Sequence, residues 1–521
     1  MRIVVTETGT ALGHSLVTHL SHSHDVVEFN GDALDPAACA VALANADAVI
    51  DLRPVASIDA APDPGSLENP QSWKAAGSHL EHLSRGTYVL MRAAVEAGAS
   101  RYILGSTLRH LEGYDPTFSV AESWRPRPDV DDPAGLGAYL AEETARQLAL
   151  VEPLAVICLR FATIATGHNP VTGDEVHVDD AVQACVRAIE APLAISETYS
   201  RTTLASGWWV FHVPGGGDTS RFPVGAARGI GYAPAHDCEV ASRTGVRAPR
   251  DTSTVPSRVI RRVTMFGAGG PLGAATAPHL MSAYTVRLTD ARSLAEIRDA
   301  NQPQSPGAPL PSVPQAPHEP ITCDVTDPVA VAAACEGADA IINLTVIRHD
   351  VPGSFRVNLE GAYYVMRAAR AHGIRRSVHT GPALNLHDRP AGYGHEFGVP
   401  DDAPARTGVW QYTVAKYLGQ EVVRLAADAF GLESPTLVFC AFVNPDVAEP
   451  APGGPHPMSI SWDDAGRALR HTVDAPGYPA PFELMHITAD LPHDRYSNAK
   501  AKALLGWSPR DNLEHLYARH H

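Results

Sequence analysis

The chain lacks the features that mark several large classes of protein. No uninterrupted apolar run reaches the roughly 18 residues that a membrane-spanning helix needs. The seven cysteines are scattered without a CxxC pair, which is typical of small core residues in a reducing compartment. Basic residues are outnumbered, 41 against 58 acidic ones, and a net charge of −17 would repel nucleic acid and anionic membranes. We therefore expect a cytoplasmic protein that binds small molecules and no nucleic acid, membrane or metal.

Length and an internal repeat indicate two domains. A chain of 521 residues exceeds what one hydrophobic core usually supports. The stretch GTYVLMRAAVEAGASRY, which begins at Gly86, recurs as GAYYVMRAARAHGIRRS from Gly361. We interpret the chain as two tandem homologous domains, 1–235 and 259–521, joined by a linker over 236–258 that is rich in Pro, Ser and Thr.

Each half alternates predicted strands and helices, which is typical of a doubly wound parallel sheet. A Pro-rich stretch, 301–320, interrupts the second half, and we predict an exposed excursion there and not a domain boundary. The predicted strands cover 2–6, 25–29 and 48–52 in the first half, and 262–266, 285–288, 321–323 and 340–344 in the second.

A glycine-rich turn follows the first strand of the second half. Its sequence GAGGPLG places Gly267, Gly270 and Gly273 in a GxxGxxG pattern. The first glycine allows a tight turn, the second lets the backbone approach a diphosphate, and the third lets the helix pack closely on the sheet. Asp290 follows the end of the next predicted strand, where a carboxylate accepts hydrogen bonds from ribose and repels a 2′-phosphate, which favours NAD over NADP.

A YxxxK motif begins a later Ala-rich helix. Tyr412 and Lys416 are four residues apart, so they share one face of the helix. The lysine cation would lower the pKa of the phenol and hold the nicotinamide ribose. A phenolate at this place can move a proton to or from a substrate hydroxyl while hydride moves to or from NAD.

With these motifs the second half resembles the extended short-chain dehydrogenase/reductase family, the NAD-dependent epimerase/dehydratase group. The resemblance covers essentially all of 259–521 and includes CDVTD from Cys323, NLEGA from Asn358, WDDA from Trp462 and the closing LLGWSP. It implies an α/β fold of two tandem Rossmann-like domains, each with a small C-terminal substrate-side lobe. It also implies that Asp324 lies beside the adenine.

One position departs from the family pattern. Members carry a Ser or Thr that hydrogen-bonds the reacting oxygen, and the alignment places Pro382 there, which cannot donate. Thr380 would lie on the same face if the strand persists, and we predict that it supplies the hydroxyl. His379 would lie on the opposite face, where it is either an acid/base or a packing residue.

The first half resembles the same family with its catalytic set broken. Glu7 and Thr10 replace the first two glycines of the turn and only Gly13 persists. The interval from Gly13 to the repeated segment is 15 residues shorter than the interval from Gly273 to that segment in the second half. The adenosine pocket would form from these missing residues. We therefore predict a partner domain that has lost the cofactor and acts as a scaffold or lid.

The catalytic positions of the first half point the same way. Thr107 and Tyr139 occupy the hydroxyl and tyrosine positions, but Glu143 replaces the lysine and would raise the pKa of the phenol. In the HVDD stretch that begins at His177, we interpret the two aspartates as residues that begin and cap a helix.

These observations favour an NAD-dependent oxidoreductase or epimerase-type enzyme that acts on a secondary alcohol or ketone of a nucleotide sugar or secondary metabolite. Sugar 4,6-dehydration is disfavoured, because no acidic pair follows Pro382. Three alternatives stay open: an isomerase or lyase that uses NAD without net redox, an inactive NAD-sensing protein, and a site shared by both halves through Thr107 or Tyr139. The chain is expected to be a homodimer or a pseudo-dimeric monomer, and its Ala-, Pro- and Arg-rich composition resembles that of high-GC bacteria.

Overall fold

The fold is described from a computed structural model of the chain. The described residues are 1–58, 69–167, 175–193, 207–215, 220–236, 255–256, 258–382, 398–450 and 456–518. Most of the predicted linker lies outside them. None of the helices in these ranges has both the length and the apolar character needed to cross a bilayer.

The chain forms two compact units. The first unit comprises Met1–Ser66 and Ser78–Arg250, and the second comprises Leu67–Gly77 and Asp251–His521. The sequence did not predict that residues 67–77 belong to the second unit. Within that unit, Lys74 Nζ lies 3.4 Å from Glu360 Oε2, and a Cβ on Gly77 would come within 2.2 Å of the Tyr364 hydroxyl oxygen.

A six-stranded parallel sheet forms the centre of the first unit, in the order β2-β1-β3-β4-β5-β8. Strands β6 and β7 pair separately. The bounds of the strands are β1 Arg2–Thr6, β2 Asp25–Phe29, β3 Ala48–Asp51, β4 Arg101–Thr107, β5 Ala155–Phe161, β6 Thr163–Ala165, β7 Glu175–His177 and β8 Trp208–Val213. The bounds of the helices are α1 Ala11–Leu20, α2 Pro36–Ala42, α3 Arg53–Ala56, α4 Pro70–Glu96, α5 Pro133–Ala149, α6 Val178–Glu190 and α7 Gly225–Arg228, with a 3₁₀ turn at Leu108–Leu111.

The second unit repeats this order with one more strand, as β11-β10-β9-β12-β13-β14-β17. The bounds of its strands are β9 Arg262–Phe266, β10 Thr285–Asp290, β11 Glu319–Thr322, β12 Ala340–Asn343, β13 Arg376–Pro382, β14 Ser434–Phe439, β15 Ala441–Val443, β16 Ser459–Ser461 and β17 Phe482–His486. The bounds of its helices are α8 Pro271–Met281, α9 Leu294–Ala300, α10 Pro328–Cys335, α11 Val351–Phe355, α12 Gly361–Ala371, α13 Gln411–Phe430, α14 Trp462–Asp474 and α15 Ala499–Leu505, with a π turn at Arg356–Glu360 and a 3₁₀ turn at Glu514–Tyr517.

The α/β fold with parallel doubly wound sheets is therefore confirmed. The Pro-rich excursion ends at Glu319, where β11 begins and pairs with β10 in the sheet of the second unit. The strands β1, β3, β5 and β12 are buried and mostly apolar, as expected where helices cover both faces of a parallel sheet. This layering brings the carboxyl ends of β9, β10, β12 and β13 to one edge of the second sheet, where α8 and α13 begin.

Candidate active site

The glycine turn between β9 and α8 is built as tightly as its sequence predicts. Gly267 has a left-handed φ of 80°, and a Cβ there would lie 2.9 Å from the carbonyl carbon of Leu344. A Cβ on Gly273 would lie 2.4 Å from the Gly267 oxygen. Both positions therefore require glycine, one for its φ and both for the close approach of backbone to backbone.

Gly270 leaves space where a phosphate binds in such turns. It is the N-cap of α8, has an extended conformation, and supplies no side-chain hydrogen bond to the helix. A Cβ there would meet only the Gly267 oxygen, at 3.5 Å. Because the first N–H groups of a helix have no intrahelical acceptor, this end of α8 fits the diphosphate of a dinucleotide.

Asp290 ends β10 beside this turn, as predicted. Its Oδ2 accepts a hydrogen bond from the N–H of Gly269 at 2.9 Å. A Cβ on Gly269 would lie 2.8 Å from the same carboxylate, so a fourth glycine of the turn allows the acid to approach the backbone. Sequence reasoning missed the role of Gly269, although the residue stands in the motif.

Asp324 follows β11 on the same side of the sheet. Its exposed carboxylate accepts hydrogen bonds at 2.9 Å from both the backbone N–H and the hydroxyl of Thr326. These bonds fix the direction of the carboxylate. Its contact with an adenine stays a prediction.

Tyr412 lies at the start of α13 with a cation that the sequence analysis did not name. The guanidinium carbon of Arg348 is 5.2 Å from the centroid of the Tyr412 ring. Burial raises the pKa of Tyr412, and the Arg348 charge and hydrogen bond oppose that rise. The sequence signal for Arg348 was a basic residue in the loop after β12, at the carboxyl edge of the sheet.

Lys416 is one turn further along α13 and is buried. Its Nζ donates a hydrogen bond to the carbonyl oxygen of Thr345 at 3.0 Å. Burial, reinforced by the Arg348 cation, lowers the pKa of Lys416 to about 8. The lysine is thus held against the backbone of the loop after β12, below the tyrosine on the same helix face.

His379 packs inside the second unit. Its Nε2 lies 2.9 Å from the Ser377 hydroxyl oxygen. Burial, together with the charge of Lys416, lowers the pKa of His379 to about 3, so the ring is neutral at ordinary pH. This is the environment of a packing residue.

Strand β13 continues through Pro382, so Thr380 and Pro382 share a face. Val378, on that face, belongs to the core that includes residues of α14. Gly381, on the other face, lies against α13, because a Cβ there would be 3.1 Å from Gln420 Oε1. Alternation therefore directs the partly exposed Thr380 away from the α13 layer, and its catalytic role stays a prediction. The residues after Pro382 that the sequence analysis considered, 383–385, lie outside the described residues.

In the first unit, side chains occupy the equivalent turn. Glu7 takes the position of Gly267 and keeps a left-handed φ of 55°. Thr10 is the N-cap of α1, where its hydroxyl accepts a hydrogen bond from the N–H of Gly13 at 3.1 Å. The hydroxyl thus uses a helix N–H that a phosphate would otherwise bind.

An ion pair fills the neighbouring part of the first unit. Arg53 Nη2 lies 2.6 Å from Asp51 Oδ2, with both side chains buried, and Tyr102 donates a hydrogen bond to the same carboxylate oxygen at 2.6 Å. A Cβ on Gly86 would be 2.1 Å from Arg53 Nη1. In the second unit the corresponding Gly361 lies against Val325 instead, next to Asp324.

The predicted catalytic positions of the first unit lie in its interior. Tyr139 is buried and stands edge-on to His110, with the ring centroids 6.3 Å apart. Glu143 is buried and lies 3.3 Å from Arg146 Nη1. Thr107 ends β4, and its hydroxyl accepts a hydrogen bond from the N–H of Arg109.

The cluster of His177, Asp179 and His236 brings three potential metal ligands together in the first unit. The two imidazole rings stack with centroids 3.6 Å apart and planes 22° apart. A metal ion lies in the plane of each imidazole that coordinates it, about 2.0 Å from the ring nitrogen. Because these two rings are stacked in nearly parallel planes, no single position for an ion lies in both planes. His177 instead caps α6 by accepting the N–H of Asp179.

Comparisons with known proteins agree with the geometry of the second unit. Residues 263–458 match the model of the NAD dependent epimerase/dehydratase family. The chain is 26% identical over 261 residues to a uronate dehydrogenase of Pseudomonas putida, covering 49% of this chain and 85% of that protein. It is 27% identical over 262 residues to an NAD-dependent glucose-6-phosphate dehydrogenase of Haloferax volcanii, covering 48% and 93%.

Two solved structures are also similar. The uronate dehydrogenase of Agrobacterium tumefaciens has 25% identity and a TM-score of 0.39, over 49% of this chain and 85% of that one. The glucuronic acid dehydrogenase of Chromohalobacter salexigens has 23% identity and a TM-score of 0.40, over 49% and 86%. The matched residues, 263–458, contain the glycine turn, Asp290, Asp324, Tyr412 and Lys416, so the similarity to the NAD dependent epimerase/dehydratase family covers the candidate site.

Proposed function

We propose that the second unit is an NAD-dependent oxidoreductase that acts on a secondary alcohol or ketone of a sugar-related substrate. The observation that carries the proposal is the presence, at one edge of one sheet, of an open glycine turn and a buried Tyr412 beside the Arg348 cation, with Lys416 one turn further along the same helix. Gly267, Gly270 and Gly273 would hold the diphosphate of NAD, Asp290 its adenosine ribose and Asp324 the region of its adenine. Lys416 would hold the nicotinamide ribose.

In this proposal Tyr412 moves the proton. When the alcohol is oxidised, the phenolate accepts the hydroxyl proton, and the Arg348 charge beside the ring stabilises that phenolate. Lys416 adds positive charge from the same helix face and is fixed by Thr345. Bound NAD would supply the hydride acceptor, which none of the protein side chains can do.

The names of the relatives narrow the substrate class. Both curated relatives are named as dehydrogenases of a sugar acid or a sugar phosphate. We infer that a monosaccharide derivative with an anionic substituent is oxidised at a ring hydroxyl, with a nucleotide sugar as the wider form of the same class. Arg348 lies partly exposed at the site and offers a cation to such a substituent.

The test is turnover by the purified full chain with NAD and a panel of uronic acids, aldose phosphates and nucleotide sugars, followed by NADH absorbance. We expect one class to be oxidised and Tyr412→Phe to lower kcat by about 10²- to 10⁴-fold while NAD still binds. Tyr417→Phe, on the same helix, is the matched control and should keep the activity. Unchanged kcat in Tyr412→Phe on a confirmed substrate would contradict the mechanism.

One observation favours a second candidate, an NAD-binding protein without turnover. Pro382 is buried at the end of β13, paired with Phe439, where the family places its hydroxyl. Without that donor the substrate oxygen would lose one of its two hydrogen-bonding partners. NAD binding with no turnover across the panel would support this candidate.

A further inference from the structure

A cavity of about 500 Å³ lies in the first unit, where the cofactor cleft of a doubly wound sheet would be. It lies at the carboxyl ends of β3, β4 and β5 and at the start of α1, which is the switch point where ligands bind in such sheets. Its size is within the range of small-molecule sites, about 300–1,000 Å³. Its described lining includes Ala11 and Leu12 of α1, Ala56 of α3, Thr107 at the end of β4, and Phe161 and Ala162 at the end of β5.

The walls exclude a dinucleotide. The hydroxyl of Thr10 donates to the Glu7 carbonyl oxygen at 2.8 Å and accepts from Gly13, so the turn is closed on itself. The buried pair of Arg53 and Asp51 fills the adjoining space. In the described residues, the first sheet also has no counterpart of the edge strand β11, which in the second unit precedes Asp324.

The same walls suit an uncharged molecule that has both apolar and hydrogen-bonding surface. Eleven of the described lining residues are apolar, and Thr107, Thr163 and Thr166 offer hydroxyl groups without charge. The two charged residues of the lining, Arg109 and Glu112, are exposed to solvent and have opposite signs. The Arg109 cation is neutralised by Asp132, at 2.6 Å from Nε to Oδ2. The N–H groups of Ala11 and Leu12 begin α1, whose first turn contains no acid, and they can donate to a carbonyl oxygen.

We infer that the first unit contains a second ligand site, for a neutral molecule that has an apolar part and carries a ketone or alcohol oxygen. The site is separate from the NAD site of the second unit and has no diphosphate-binding turn. The first unit would then recognise a small molecule itself and would not act only as a scaffold.

The test uses the fluorescent ketone prodan, which is neutral and apolar and brightens in apolar sites. The full chain, saturated with NAD, should bind prodan saturably at one site. Ala56→Phe places a ring in the cavity and should weaken binding at least 10-fold. Ala40→Phe, which adds the same group at an exposed position of α2, should leave binding unchanged. Both variants should keep NAD affinity and the thermal melting curve.

Three results would overturn the inference. They are the absence of saturable prodan binding, equal affinity in Ala56→Phe and the unmodified chain, and displacement of prodan by ADP or excess NAD. If Ala56→Phe does not fold, Ala162→Phe fills the same cavity from the end of β5 and is read in the same way.

Discussion

The substitution Gly270→Thr should weaken NAD binding at least about 10-fold without harming the fold. Gly270 has φ −72° and ψ 161°, and Thr10 at the corresponding N-cap of the first unit has φ −79° and ψ 161°. A threonine therefore fits the backbone of the second unit without strain. Its hydroxyl would accept the N–H of Gly273, as Thr10 accepts that of Gly13 at 3.1 Å.

The two expected effects have opposite signs. A threonine cap is more stabilising than glycine by a few tenths of a kcal/mol, so the free energy of unfolding should rise by about 0.3 kcal/mol. A hydrogen bond to a charged group contributes about 1.5–3 kcal/mol, so a diphosphate that loses one should bind at least about 10-fold more weakly. The methyl group also takes up the space that glycine leaves open.

Calorimetric titration of NAD and urea unfolding of the full chain measure these effects. The matched control is Thr10→Gly, which should leave NAD affinity unchanged and cost the first unit about 0.3 kcal/mol. An NAD affinity in Gly270→Thr equal to that of the unmodified chain, with an intact fold, would refute the assignment of the diphosphate to this turn.

Three further predictions concern ionisable groups and the missing hydroxyl. Burial, and then the Arg348 charge, lowers the pKa of Lys416 to about 8, so above pH 8 the unfolded chain binds more protons than the folded chain. The free energy of unfolding should therefore gain a contribution from Lys416 as the pH rises from 8 toward 10. Urea unfolding of Lys416→Met should lack this gain. Burial opposes ionisation of Glu142, but Arg160 lowers its pKa to about 2, so the stability it contributes is present above its unfolded value and is lost as pH falls from there toward 2. Glu142→Gln leaves the Arg160 cation buried without a carboxylate partner. It should lower the free energy of unfolding, measured with urea, by about 3–5 kcal/mol at neutral pH and by less at pH 3. If Thr380 donates to the reacting oxygen, Thr380→Val should lower kcat about 100-fold with little change in KM, whereas an unchanged kcat would assign it to packing.

Part of the site followed from local sequence. The glycine spacing, the acid at the end of the second strand and the i, i+4 pair on α13 are each set within one turn or one element. Their backbone requirements, such as the left-handed φ of Gly267, depend on neighbours close in the chain. The first strands of each half, such as 2–6 and 262–266, were predicted for the same reason, because a short apolar run is a local signal.

The sequence by itself determined the doubly wound parallel fold, the resemblance of the second unit to the epimerase/dehydratase family and the backbone of its glycine turn. Only the tertiary structure placed Arg348 against Tyr412 and directed Thr380 away from the α13 layer. It also showed that the ion pair of Arg53 and Asp51 is buried in the first unit, and that this unit contains a cavity. The physical reason is the range of the forces involved. Turns and periodic faces are fixed by residues adjacent in the chain, whereas a contact between charged or aromatic side chains depends on how distant segments pack.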